Sequence, residues 1–289
     1  MRQASSFRGL RASCSTAAWA IASTLALAPV AALADEAPNL LDDSFYAALG
    51  TFVLNSDTEV RFDGESGRGD VVDWEHTFGD EDMTRFRFDG YWRFGDSQRH
   101  KVRALWFNAS RDDSRSFERD IEWNDVIYPA NLRVDSELAF DIYELAYEYA
   151  FLRRDTYEVT GTFGVHYTEL SMSLAAEGAI VGGEPVSGKV KKEGSFGAPL
   201  PVIGVRGLWD ISHNFWIDAS AQYFSANIDE YDGSIQDYRL AVVWQPIKWA
   251  GVGLGYNQFK VDLDVDKDSF NGNVTWTYAG PMIFYSASF

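Results

Sequence analysis

The sequence predicts an all-β chain of about ten antiparallel strands joined up and down in chain order. Three observations carry that prediction: apolar and polar residues alternate with period two, short and long connections alternate between the runs, and the composition is rich in aromatics. Of the 289 residues 15% are aromatic, with 10 Trp, 14 Tyr and 20 Phe against one Cys and four Met. That balance favours strands over a Met-rich helical core. No stretch keeps a period of 3.6 over three turns, and past the N-terminal apolar run no segment has 18 consecutive apolar residues, so helical membrane spans are not expected.

The N-terminal segment reads as an address. Arg2, Arg8 and Arg11 precede an uncharged apolar run from Ala17 to Ala32, which ends at Ala32, Leu33 and Ala34. Small residues one and three positions before a cut suit a signal peptidase, so residues 1–34 are expected to be removed and the mature chain to begin at Asp35. The only cysteine, Cys14, lies in the removed part. Disulfides, thiolate metal sites and cysteine nucleophiles are thereby excluded from the exported chain. The mature chain holds 22 basic against 43 acidic residues, a net charge of −21. Nucleic-acid binding, which needs clustered Lys and Arg, is set aside.

The strands follow from alternation. In YEVTGTFGVHYTE, Tyr157, Val159, Phe163, Val165 and Tyr167 share one face and Glu158, Thr160, Thr162, His166 and Thr168 the other. Phe86, Phe88, Trp92 and Phe94 oppose Arg85, Arg87, Asp89 and Arg93 in the same way, and Tyr238, Leu240, Val242 and Trp244 oppose Asp237, Arg239 and Gln245. Ten strands are expected at 44–62, 83–95, 100–112, 136–151, 156–172, 197–209, 214–228, 235–246, 250–264 and 271–289, with eight or twelve as the counting alternatives. The connections 63–82, 113–135 and 173–196 are long, whereas 96–99, 152–155 and 210–213 are short. An up-and-down antiparallel barrel crossing a membrane has this asymmetry of ends. Residues 35–43 then form a short leading segment and 44–289 the barrel.

On these residues the chain resembles the bacterial outer-membrane β-barrel class, without a match to one subfamily. The last strand places Ile283, Tyr285, Ala287 and Phe289 on one face. A terminal aromatic with Tyr285 before it resembles the signal read by the barrel insertion machinery, although Ala287 departs from the usual larger residue. The resemblance implies export through the periplasm to the outer membrane, with outer-membrane lipid and lipopolysaccharide as surroundings. Tyr157 and Tyr167, ten residues apart on the outward face, would span roughly 25 Å at a strand tilt of about 40°. Trp92, Phe94, Phe151, Tyr157, Trp209, Phe215, Trp244, Trp249 and Phe289 would form a girdle beside the short turns. The five external loops, 63–82, 112–135, 171–196, 229–233 and 262–268, carry −17 of the −21 charge, so they should stand in water or bind divalent cations that bridge lipopolysaccharide phosphates. Lys189, Lys191 and Lys192 could touch lipid phosphate, and AIVGGEPVSGKV could form a hairpin beyond the membrane.

Assigning the polar phases inward puts Arg85, Arg87, Asp89, Arg93, Arg103, Glu144, Glu148, Glu158, His166, Arg206, Asp218, Gln222, Asp237 and Arg239 in the lumen, where opposite charges can pair. Gly251, Gly253 and Gly255 repeat with period two inside a strand, which fits packing rather than a phosphate loop. Asp262, Asp264, Asp266 and Asp268 are spread too far along an extended chain to hold one ion, so no metal site and no cofactor is assigned. Some outer-membrane barrels are proteases, phospholipases or lipid A deacylases. Of the four histidines, His76 in the first external loop and His166 are placed for such chemistry, whereas His100 and His213 fall in short turns. An omptin-like protease would need paired external Asp–Asp and His–Asp groups. No catalytic residue is assigned. Ten strands exclude a wide pore. Two readings stay open: a non-enzymatic barrel that works through its loops, and a narrow conduit for small cations.

Overall fold

The computed structural model describes residues 38–289 apart from 54, 65–66, 80–83, 213, 229–230 and 268–269. The segment 1–34 expected to be a signal, the run Asp80, Glu81 and Asp82, His213 and Asp268 therefore lie outside the described residues. The elements are β1 (Phe45–Phe52), β2 (Asn55–Phe62), β3 (Val71–Asp73), α1 (Trp74–Phe78), β4 (Thr84–Phe94), β5 (His100–Ser116), β6 (Ile121–Trp123), β7 (Val126–Tyr128) and β8 (Arg133–Arg154). They continue as β9 (Tyr157–Glu177), β10 (Ile180–Val181), β11 (Glu184–Pro185), β12 (Lys189–Ser212), β13 (Phe215–Ile228), β14 (Tyr231–Ile247), β15 (Ala250–Lys267) and β16 (Phe270–Ser288).

Antiparallel pairing runs β1, β4, β5, β8, β9, β12, β13, β14, β15 and β16, and β16 pairs back onto β1. Among the described residues this is a closed ring of ten strands, the expected number. The expected first strand, 44–62, is instead two: β1 pairs with β16 from Tyr46 opposite Ser288 to Phe52 opposite Met282, and β2 resumes from Asn55 opposite Ala279. Pro281 explains the break. The Val53 amide donates to the Pro281 carbonyl at 3.0 Å, but proline has no N–H to return the bond.

Several strands run further than their alternation suggested. β8 spans 22 residues, β9 21 and β12 24, well beyond a membrane's thickness. Long side chains from β8 and β12 meet across the small residues of β9: Lys189 pairs with Asp135 at 2.7 Å and Lys191 with Glu137 at 3.0 Å, over Ala175 and Ser173. These polar ladders let the sheet continue where its outer face meets water. The long connections 113–135 and 173–196 and the medium links 229–234 and 265–270 are correspondingly shorter than expected, and Asp113, Asp135, Asp232 and Asp266 sit on strands instead of in the connections.

What remains of the long loops is folded. β6, β7, β10 and β11 form a second small sheet. The β10–β11 hairpin turns on Gly182 and Gly183, at φ 61° and 86°, which is the backbone a two-residue hairpin turn requires. Above Gly50, β2 pairs on its free edge with β3 rather than β4, and α1 fills the wall between β2 and β5. The Glu75 carboxylate there accepts the Thr58 backbone N–H at 2.6 Å and the Thr58 hydroxyl at 2.9 Å, and pairs with Arg111 at 3.4 Å. One side chain thus substitutes for ladder bonds that no strand supplies.

The faces are inverted in the middle of the barrel and ordinary above it. Leu49, Phe163, Val205, Leu240, Leu254 and Ile283 project outward as a continuous exposed apolar band, a surface suited to hydrocarbon rather than water. Trp92, Phe151, Trp209, Phe215, Trp244 and Phe289 ring its short-turn edge. Trp106, Tyr143 and Tyr167 stand in register at the opposite edge. Beyond that edge the interior is aromatic: Phe140 stacks on Trp276 at 3.7 Å, Phe107 and Phe259 stack on Tyr278, each at 5.1 Å, and Trp74, Phe78 and Trp123 are fully buried nearby. Gly253 permits the close approach of Phe284, whose ring lies 2.0 Å from where a Cβ would stand.

Trp276→Ala would remove the centre of the aromatic layer. Truncating a buried large aromatic costs about 3–5 kcal/mol, so the midpoint of unfolding in guanidinium should fall markedly while the ring still assembles; an unchanged midpoint would contradict this packing.

Candidate functional site

The lumen nearer the short turns holds a connected set of charges supplied by seven strands. Arg93 on β4 forks onto Glu158 of β9, NH1 at 2.8 Å and NH2 at 3.1 Å. Lys101 on β5 bridges Glu158 to Glu148 of β8. Arg103 holds Glu148 at 2.8 Å and also Asp89. Asp89 is met from across the lumen by Arg239 of β14 at 3.4 Å, which reaches Asp218 of β13 at 3.2 Å. Arg206 of β12 closes the loop, bound to Asp218 at 2.9 Å and to Glu148 at 3.4 Å. Every member is buried. The Tyr91 ring sits among Arg93, Lys101 and Arg103, their charged groups 5.0–5.7 Å from its centre, so its face offers further stabilisation to the cations.

The remaining residues assigned to the lumen, Arg85 excepted, occupy the layer between this network and the aromatic core. Arg87 donates to Asn257 at 2.6 Å, and Asn257 in turn donates to Asp237 at 2.5 Å. Gln222 donates to Glu144 at 2.9 Å. His166 stacks on Phe259 at 5.5 Å, with the Thr168 hydroxyl 3.5 Å from Nδ1. Arg85 is half-buried at the outer end of β4, its carbonyl accepting from the Thr51 hydroxyl. A void lined by Ala48, Phe52, Arg87, Asp89, Arg239 and Phe284 measures about 10 Å³, the space of a single water.

Lys101 and Asn257 belong to this interior and were not singled out from the sequence. Their signal was present, because Lys101 shares the phase of Arg103, and Asn257 that of Gly251, Gly253 and Gly255. The outer aromatic layer was missed for a different reason. The inward phase of β5 passes from Lys101 and Arg103 to Phe107 and Ala109, and that of β8 from Glu144 to Phe140 and Leu138. The rule that polar phases point inward therefore fails on leaving the membrane level, where the interior is mainly aromatic and aliphatic.

Other residues that could carry chemistry are engaged or scattered. His76 is exposed on α1. His100 lies on β5, not in a turn, with Nδ1 at 2.6 Å from the Tyr147 hydroxyl. Asp262 accepts from Thr275 at 3.0 Å and pairs with Lys260 at 3.1 Å, whereas Asp266 accepts from Asn271. Lys189 and Lys191, considered for lipid phosphate, face carboxylates. Among the described residues no group of three or more His, Cys, Asp or Glu is arranged to hold a metal ion. Tyr285 lies outward on the closing strand, and the exposed Phe289 directly follows it. The Phe289 and Phe45 backbones exchange two hydrogen bonds, at 2.8 and 2.7 Å.

Beyond the outer aromatic edge, hydrogen bonds from Lys189 and Ser114 hold the Asp135 carboxyl below its usual range, and those from Lys191 and Ser173 do the same for Glu137. Glu193 and Glu137 raise the Lys191 ammonium. Depressed carboxyls stabilise above their unfolded pKa and lose that contribution as pH falls through the folded value; a raised lysine stabilises below its unfolded pKa and loses it as pH rises. Amide protection in residues 171–177, corrected for intrinsic exchange, should therefore drop on acidification from pH 6 to pH 3, and that of residues 159–166 should not. Within the network, Arg103→Met would take the shortest-held cation from Asp89 and Glu148, leaving Asp89 to Arg239 and Glu148 to Lys101 and Arg206, and should cost about 1–3 kcal/mol in urea unfolding, because buried acceptors lose a hydrogen-bond partner.

No protein-family model and no curated protein matches the chain. Among solved structures, the outer membrane protease OmpT from Escherichia coli superposes with a TM-score of 0.52 at 14% identity, covering 88% of this chain and 99% of that one. The toluene transporter TodX of Pseudomonas putida gives a TM-score of 0.34 at 9% identity, over 90% of this chain and 94% of that one. The attachment invasion locus protein Ail of Yersinia pestis gives 0.30 at 11%, over 84% and 99%. With its closed ring, outward apolar band and paired aromatic edges, the chain has the fold of the outer-membrane β-barrel proteins.

Proposed function

We propose that the protein is a sealed barrel of the bacterial outer membrane, exported by way of residues 1–34, whose role is non-enzymatic and is performed by the structure it raises beyond the membrane. The carrying observation is the filled cross-section: the ion-paired network from Arg93 to Arg206 and the stacked layer around Trp276 succeed one another along the axis. A conducting path needs water or mobile ions in at least one continuous file. Here the charges are spent on each other, and the void beside Arg87 holds about one water. The short-turn end faces the periplasm in this reading, and the extended strands β8, β9 and β12 stand at the level of lipopolysaccharide.

The conduit for small cations has less support, since acids that would line it are paired with Arg and Lys. Catalysis also lacks a constellation. Among the described residues, His166 is enclosed beside Phe259, and His76 is exposed on a five-residue helix with only its backbone N–H bonded, to Asp73. Likeness of fold to a protease supplies no reaction, because barrels of one architecture differ in the residues they present.

The experiment is single-channel recording of the refolded mature chain in a planar bilayer. The expected result is a folded, heat-modifiable barrel without steady conductance. Unit steps with cation preference, altered by Asp89→Asn, would overturn the sealed reading in favour of the conduit.

A further inference from the structure

Residues 38–43 turn tightly just before β1. The Asp42 and Asp43 amides both donate to the Asn39 carbonyl, at 2.9 and 2.8 Å, and the Asn39 side chain accepts from the Leu41 amide at 3.1 Å. Leu40 and Leu41 are each only 2% exposed, although a chain segment at a barrel mouth has water available to it. Their carbonyls are taken by side chains of the wall: Leu40 accepts from the Tyr91 hydroxyl at 2.9 Å and from Arg93 at 3.1 Å, and Leu41 from Arg153 at 2.7 Å. Asp42 pairs with Arg153 at 2.5 Å.

Asp43 reaches the other side of the closing seam. Its carboxylate accepts from the Ser288 hydroxyl of β16 at 2.6 Å and lies 3.6 Å from the Lys248 ammonium in the turn before β15. The segment is thus tied to β4, β8, the β14–β15 turn and β16, elements on both sides of the pairing between β1 and β16. Arg93 is the joint: Nε lies 3.4 Å from the Asp43 carbonyl, NH2 serves Leu40 and Glu158, and NH1 serves Gln98 and Glu158. Its guanidinium is divided between the leading segment and the ionic network.

We infer that residues 38–43 are a strap over the part of the short-turn mouth between β4, β8 and the β1–β16 seam, which clamps that seam and keeps water and solutes off Arg93 and Glu158. An open pocket of about 510 Å³ lies on its other side against Thr156, Asp210 and Trp216. The strap rests on the sealed lumen proposed above. Most of its acceptors are backbone carbonyls, so its hold depends on the turn and on the buried leucine pair more than on any one charge. Without it, Arg93 and Glu158 would become the floor of an open vestibule.

The mature chain lacks cysteine, so one introduced thiol reports access. Thr160→Cys serves, because Thr160 is fully buried on the inner face and two residues from Glu158. The refolded full-length mature protein is treated with a charged, membrane-impermeant maleimide, and folding is followed by mobility on unheated gels. The expected result is slow labelling with the strap intact and labelling at least tenfold faster when Leu40→Ser and Leu41→Ser are added, with a lower temperature for loss of the compact band. Equally slow labelling in compact protein of both kinds overturns the strap but spares the sealed lumen. Fast labelling with the strap intact overturns both. If the leucine pair prevents folding, a chain that begins at Ser44, without residues 35–43, replaces it, and there too an unchanged labelling rate counts against the strap.

Discussion

A backbone in hydrocarbon has nothing but itself to bond to, and that constraint organises the rest of this molecule. A sheet meets it only by having no edge, so the pairing of β1 with β16 is the condition for the other nine pairings to exist in a membrane. The chain reinforces that seam unusually. Phe45 and Phe289 exchange backbone bonds at its end, and Ser288 hydrogen-bonds a side chain that precedes β1. Where the ladder weakens, at Pro281, the first strand breaks and restarts instead of leaving the wall.

Closure with ten strands leaves an interior too narrow for bulk water, so inward side chains must satisfy one another. Long flexible cations achieve this across the lumen. Arg239 spans from β14 to Asp89 on β4, a link between strands far apart in the ring. A buried pair deprived of one member is far worse than no pair, so the network is insensitive to adding apolar groups elsewhere and sensitive to losing any one charge. Glycines complete the fit: the ring of Phe284 occupies the space over Gly253, and the Arg239 guanidinium lies 5.3 Å from the centre of that ring.

Most of this architecture was legible because a barrel wall imposes a strict period. Strand number, the direction of Trp92, Phe163 and Leu254, and the inward glycines follow from alternation alone. What was illegible depends on solvent, which one strand's pattern does not state. Along β8 the inward residues are Glu148, Glu144, Phe140 and Leu138, and the change from charge to aromatic marks where the outer face passes from lipid to water. The strand ends were misjudged for a related reason. Residues such as Asp135, Lys189 and Lys191 look like loop by composition, yet as cross-strand pairs, Lys189 with Asp135 and Lys191 with Glu137, they extend the sheet. Glu75 replacing a strand by two hydrogen bonds to Thr58 could not be read from either segment separately.

Two folding logics therefore coexist on one set of strands. At membrane level greasy faces point out and charges in; beyond it the same strands bury Phe107, Phe140 and Trp276 and expose their polar partners, as a soluble protein would. A stiff, water-facing structure is thus mounted on a membrane anchor through continuous strands, with no hinge between β8, β9 and β12 below and above the aromatic edge. Rigidity of that kind suits a surface that presents fixed features to a partner, because little conformational freedom has to be lost on contact. It also explains why the ionic layer stays on the other side: buried charge is tolerable where Leu40 and Leu41 cover part of the mouth beneath it and the aromatic core closes it above.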